Sequence, residues 1–191
     1  GMDRVYEIGR IFRNEGMDTK HNPEFTTVEL YQAYADFHTM MDIAEGILSS
    51  AAMELHGSYQ IEWLGETVDL TPGWRRMTMV DAVKEYAGVD FGVISDDVQA
   101  VEAARAAGVE LPEAAEKTWG NALYACFDQK VEEKLIQPTF ITMYPVEVSP
   151  LTKRSPQDAR LTERFELFIC HSEMANAYSE LNDPIDQRYR F

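Results

Sequence analysis

The chain has 191 residues, 45% of them hydrophobic, and a formal net charge of −16. That apolar content suffices for a buried core and excludes a mostly disordered chain, and the length suits one large domain or a domain with an insertion. The acidic balance argues against a general nucleic-acid-binding surface, which would be basic; it suits a cationic substrate as readily as it serves solubility.

The elements follow in chain order. Arg4 to Arg13 reads as a strand, with Val5, Ile8, Ile11 and Phe12 among charged residues. Asn14 to Pro23 is polar and reads as a loop, longer than a turn needs, which hints at ligand contact. Phe25 to Phe37 is rich in Thr, Val, Tyr and Phe and reads as a second strand. Thr39 to Leu55 has helical spacing and stops at Gly57; Tyr59 to Leu70 reads as a small hairpin turning near Leu64-Gly65. Pro72 and Gly73 punctuate. Residues 75 to 134 are rich in Ala and Glu and read as a small helical subdomain. Helices are predicted from Thr78 to Ala87, from Ser95 to Gly108 and over most of Pro112 to Lys134. Pro138 to Tyr144 returns to strand character, Ser149 to Arg160 reads as a mobile loop, and Leu161 to Cys170 and Glu173 to Leu181 read as strands. Asp183-Pro184 starts a helix.

No apolar run reaches the ~20 residues needed to span a bilayer, and the first residues have no signal-peptide character. Cys126 and Cys170 match no metal spacing and read as two reduced thiols of a cytosolic protein.

A strand's two-residue period puts Phe25, Thr27, Glu29, Tyr31 and Ala33 on one face. An unpaired buried carboxylate costs several kcal/mol, so this is no ordinary core face, and a solvated face has little use for Phe25. A ligand-pocket wall accommodates both, and an exposed strand face remains the alternative. Arg13 stands at the loop mouth with planar donors suited to phosphate, followed by Asn14 and Glu15, and His21 adds a second cation within the loop. Taken singly, Arg13 and Glu15 also fit a surface ion pair, and His21 a solvated loop histidine.

Farther on, Arg164, Glu166 and Phe168 share one strand face, and Asn176, Tyr178 and Glu180 another. Glu173 falls on the opposite parity and needs a bend near His171-Ser172 to join them. Glu166 and Glu173 offer the hard oxygens that Mg²⁺ takes together with phosphates and water; as strand-edge surface acids they would need no metal.

The runs Phe12-Arg13-Asn14-Glu15-Gly16, His21-Asn22-Pro23-Glu24-Phe25-Thr26 and Glu29 to Asp36 together resemble motif 2 of lysyl-tRNA synthetases. Thr162 to Phe168, Asn176 to Pro184, Pro138 to Ile141, Tyr144-Pro145 and Val148 to Leu151 extend the resemblance over nearly the whole chain, most weakly over 75–134. It implies an α+β fold, an antiparallel β-sheet flanked by helices as in the class II synthetase catalytic core, with a small helical insertion. Residues 1–74 would be core with the motif 2 hairpin, a following helix and a small hairpin; 75–134 the insertion; and 135–191 core with the metal- and lysine-binding strands.

The resemblance also implies roles. Arg13 would be the catalytic residue, contacting the ATP α-phosphate, with Glu15 near the adenosine, His21 near the outer phosphates and Phe25 stacked on adenine. Glu29, Tyr31, Asn176 and Glu180 would bind lysine, Glu180 facing the ε-ammonium, and Glu166 and Glu173 would hold Mg²⁺. A carboxylate pair with a phenol would reject uncharged analogues, which leave the acids unpaired. Lysine would attack ATP to give lysyl-adenylate and then pass to tRNA(Lys), catalysed by alignment and charge neutralisation. The parent enzyme is expected to be a cytoplasmic homodimer. Motifs 1 and 3 are not recognised here, so little or no aminoacylation by these residues alone is expected. The rivals are a lysylating paralog acting on a protein, of the elongation factor P type, and a non-catalytic interaction module. The Ala33-Tyr34-Ala35-Asp36 and Ser179 to Asn182 segments favour the tRNA enzyme.

Overall fold

The computed structural model describes residues 1–14, 16–18, 21–113 and 117–191. They form two compact units, Gly1–Ala35 and Asp36–Phe191.

The first unit is a hairpin of β1 (Arg4–Phe12) and β2 (Glu24–Gln32), paired antiparallel from Arg4–Gln32 to Phe12–Glu24. The second strand stops at Gln32 rather than reaching Phe37. Asp36 instead serves as the N-cap of α1 (Phe37–His56), its carboxylate accepting from the Thr39 N–H. That satisfies one of the donors a helix start leaves open. Gly57 closes the helix at φ 67°, the left-handed conformation that glycine adopts without a Cβ penalty.

In the second unit, β3 (Gln60–Trp63) and β4 (Glu66–Asp69) form the predicted small hairpin through Leu64-Gly65. A four-stranded sheet follows, ordered β5 (Arg75–Thr78), β6 (Thr139–Thr142), β7 (Arg164–Ile169), β8 (Ser172–Tyr178). Its pairs are antiparallel except β5–β6, which is parallel. Strand β5 was not legible: its sequence, Arg-Arg-Met-Thr, shows one buried apolar residue, Met77, in four. Between β5 and β6 run the helices α2 (Met79–Ala87, N-cap Thr78), α3 (Asp97–Ala106, N-cap Asp96) and α4 (Trp119–Lys130, N-cap Thr118). The chain between the two parallel strands is thus a helical crossover, the connection that parallel pairing requires.

Alternation divides the sheet into two faces. Phe140, Phe165 and Leu167 point to one, where they pack with Phe37 and Met41 of α1, with Val68 of β4 and with Leu70 just after it. Met77, Ile141 and Phe168 point to the other, against buried residues of α2, α3 and α4. The helical segment is therefore one layer of the same core, and its Phe127 meets Tyr144 and Phe168 edge-on. The last helix, α5 (Pro184–Arg190), starts at Asp183 as predicted.

The segment 149–160 is not the mobile loop its polar composition suggested. Ser149, Thr152 and Ser155 are buried, Thr152 bridges to Glu180, and Arg154 bridges to Thr162. Arg190 of α5 donates to the Ser149 and Thr152 carbonyls at 3.1 and 2.7 Å, and Asp186 receives both Arg190 and Arg154. Proline and serine reported a non-helical, non-strand backbone correctly; they could not report that α5 would return to hold it.

Candidate active site

In the hairpin unit, register places Val5 opposite Tyr31, Glu7 opposite Glu29, Gly9 opposite Thr27 and Ile11 opposite Phe25. Phe25, Thr27, Glu29 and Tyr31 thus share a face, as their spacing implied. Two carboxylates directly opposed on that face repel one another, and a cation bound there would relieve them. The Tyr31 hydroxyl donates to Glu29 Oε2 at 3.1 Å, which orients the carboxylate along the strand. Arg13 follows β1 directly; its backbone N–H donates to the Pro23 carbonyl, and its guanidinium lies 5.2 Å from the centre of the Phe25 ring. The ring and the cation predicted to meet a nucleotide are therefore already in contact with each other. His21 Nδ1 faces Asp18 at 2.9 Å, an ion pair when the ring is protonated. Glu15 lies outside the described residues.

In the second unit, β7 and β8 are joined by the two-residue turn Cys170-His171, both at positive φ (47° and 62°), as in the hairpin turn that matches strand twist. The register then shifts. Leu167 opposes Ala175, but Phe168 opposes Glu173, so Met174 is the extra residue of a β-bulge. Because Phe168 and Glu166 share a face, the bulge brings Glu173 to the Glu166 and Asn176 face. The sequence demanded an irregularity to place Glu173; it lies at Met174, between Glu173 and Asn176, and not at the expected bend near His171-Ser172.

Glu166 is 7% exposed. One oxygen, Oε2, accepts from the Tyr144 hydroxyl at 2.8 Å; the other, Oε1, accepts from Arg164 at 2.5 Å. Burial pushes its carboxyl above the usual carboxylate range, and the charge of Glu173 pushes the same way; Arg164 and Tyr144 act against both. Burial, followed by the Glu166 charge, also raises Tyr144 well above an ordinary phenol and lifts Tyr124 of α4 to about 12. Both phenols therefore stay protonated at physiological pH. The Arg164 guanidinium continues to Asn176 Oδ1 at 3.2 Å and to the Val148 carbonyl at 2.7 Å, and lies 4.6 Å from the Tyr144 ring centre. Glu180 bridges to Thr152 beyond the end of β8, in the segment that α5 holds.

Among the described residues, no group of three or more His, Cys, Asp or Glu side chains is arranged as a closed metal cage. The Glu166–Glu173 pair is the donor set that remains, and it fits a cation whose shell is completed by phosphates and water. Two acids on one face, one of them held back from ionising by burial and then by the charge of the other, gain most from a divalent charge beside them. A cleft of about 600 Å³, lined by Thr71, Trp74, Tyr86, Leu135 and Pro138 among others, contains none of the predicted site residues.

Arg164 and Tyr144 were the unassigned parts of this arrangement. Arg164 had one visible signal, its place two residues before Glu166 on the same strand face. Tyr144 had none, because its contact crosses 22 positions of chain.

The family model for class II tRNA synthetases (D, K and N) matches residues 1–191. The lysine–tRNA ligases of Staphylococcus haemolyticus and Staphylococcus aureus are each 53% identical over 191 residues, and that of Staphylococcus epidermidis is 52% identical. Each comparison covers 100% of this chain and 38% of the relative, so the chain spans well under half the length of these relatives. With the match running from the first residue to the last, the chain belongs to the class II tRNA synthetases of the D, K and N group.

Proposed function

We propose that this chain is the substrate-binding part of a lysine–tRNA ligase, in which lysine and ATP form lysyl-adenylate and the lysyl group passes to tRNA(Lys). The observation that carries this reading is the 53% identity to lysine–tRNA ligases over the full chain. The two acidic constellations agree with a cationic amino acid as substrate. In the hairpin, Arg13 neutralises the α-phosphate, Phe25 carries the adenine, and His21 and Glu15 attend the outer phosphates and the adenosine. Glu29 and Tyr31 are lysine ligands in this reading, as are Asn176 and Glu180, with Glu180 taking the ε-ammonium. Glu166 and Glu173 would hold Mg²⁺, which when bound offsets the charge of the ATP phosphates. No protein nucleophile is needed: the lysine carboxylate is the attacking group, and these residues align it and neutralise charge. We place the whole enzyme in the cytoplasm as a homodimer acting on tRNA(Lys).

The family handles aspartate and asparagine as well as lysine, so amino-acid choice is the test. Calorimetric titrations of L-lysine, L-aspartate and L-asparagine into the chain with ATP and Mg²⁺ should give binding for lysine alone. Preference for either other amino acid, or no binding of lysine, contradicts the reading.

A further inference from the structure

Arg164 is anchored before it reaches the site. Its Nη1 donates to the Val148 carbonyl at 2.7 Å and the Ser149 hydroxyl at 3.1 Å, and the guanidinium plane rests on the Tyr144 ring. Its side chain is 15% exposed. A guanidinium is a rigid planar fork, so fixing one arm fixes the direction of the others. Those others point at two residues assigned to different substrates: Nη2 to Glu166 and Nε to Asn176.

We infer that Arg164 is a positioning residue that orients the Glu166 carboxylate and the Asn176 carboxamide together, and thereby couples Mg²⁺–ATP binding to amino-acid binding. This rests on the function proposed above. The geometry gives each end a definite consequence. Because Asn176 Oδ1 accepts from Arg164, the amide presents its two N–H donors to a ligand, which suits an amino-acid carboxylate and not an ammonium. Glu166 has one oxygen on Arg164 and the other on Tyr144, so it cannot rotate, while each oxygen keeps a lone pair for a cation. The ligand that binds first immobilises its own residue on the shared fork, so the second meets a partner already held in place. Such coupling is reciprocal: the factor by which lysine tightens Mg²⁺–ATP equals the factor by which Mg²⁺–ATP tightens lysine.

The test is calorimetric titration of L-lysine and of Mg²⁺–ATP, each alone and with the other saturating. It is run on the wild-type chain, Arg164→Lys and Tyr144→Phe, each checked for fold by circular dichroism. The wild type should show equal mutual tightening. Arg164→Lys keeps the charge and loses the fork; it should weaken both ligands about 10–100-fold, the range for partners that orient metal ligands, and bring the mutual factor to one. Tyr144→Phe frees one oxygen of Glu166 and touches nothing at Asn176, so it should weaken Mg²⁺–ATP and leave lysine within about twofold. General loss of packing gives no such split. A wild type that binds neither ligand overturns the proposed function and this inference with it. A wild type that binds both without mutual tightening overturns the inference alone, even should Arg164→Lys fail to fold. So does an Arg164→Lys chain that keeps either affinity.

Discussion

The Tyr144 hydroxyl donates to Glu166 Oε2 at 2.8 Å inside the protein, where the phenol is fully buried and the carboxylate nearly so. Few donors serve a buried carboxylate as a phenol does here. Burial raises the phenol's own pKa, so it keeps its proton and gives it to the carboxylate in a hydrogen bond. Replacing it by Phe keeps the ring contacts with Phe127 and Arg164 and removes this bond alone. A hydrogen bond to a charged group contributes about 1.5–3 kcal/mol. Urea denaturation of Tyr144→Phe should therefore show a loss in that range. A loss under about 0.5 kcal/mol would mean that Glu166 does not depend on the phenol.

Asp186 sets an acid limit. Hydrogen bonds from Arg190 and then Arg154 hold its carboxyl far below the usual carboxylate range. Its folded pKa is thus lower than its unfolded one, which is ~4. The stability it supplies is complete above that value and is lost as pH falls below it toward the folded pKa. Asp186→Asn should be less stable than wild type at pH 7, with the gap closing below about pH 4. A gap that stays constant from pH 7 to pH 3 would show that the pair of arginines does not act through the charge.

Arg190 reaches the chain segment that was expected to move. Its side chain is 4% exposed, and it holds the Ser149 and Thr152 carbonyls as well as Asp186. Amides such as Ser155, whose N–H donates to the Leu161 carbonyl, should exchange slowly by mass spectrometry in the wild type. Arg190→Ala should speed exchange across 149–160 and leave the β6 amides protected. Fast exchange in the wild type would restore the picture of a mobile loop.

Legibility in the sequence divided along physical lines. Local signals carried far: Asp183-Pro184 and Thr78 begin helices, Leu64-Gly65 turns a hairpin, and period two puts Glu29 and Tyr31 on one face. Signals that depend on a partner distant in sequence did not. Strand β5 exists because β6 lies beside it, and nothing in Arg75–Thr78 alone says so. The ordering of 149–160 belongs to an arginine some 30 or more residues on. Glu173 is the intermediate case. Its wrong parity was visible, and so was the need for an irregularity; which residue would bulge depends on the pairing with Phe168. Arg164 and Tyr144 escaped because a positioning residue is defined by what it touches, and residue type gives no hint of that.

The central claim is that carboxylates select the ammonium of lysine. The measurement that bears on it most directly compares L-lysine with L-norleucine, which lacks the side-chain amine and is nearly equal in shape, by calorimetry with ATP and Mg²⁺ present. A site built to pair a polar group rejects the analogue lacking it by a factor on the order of 10⁴. Measurable affinity for lysine and none for norleucine at millimolar concentration is the expected result. Comparable affinities for the two would contradict it, because Glu29 and Glu180 would then have no part in choosing the substrate.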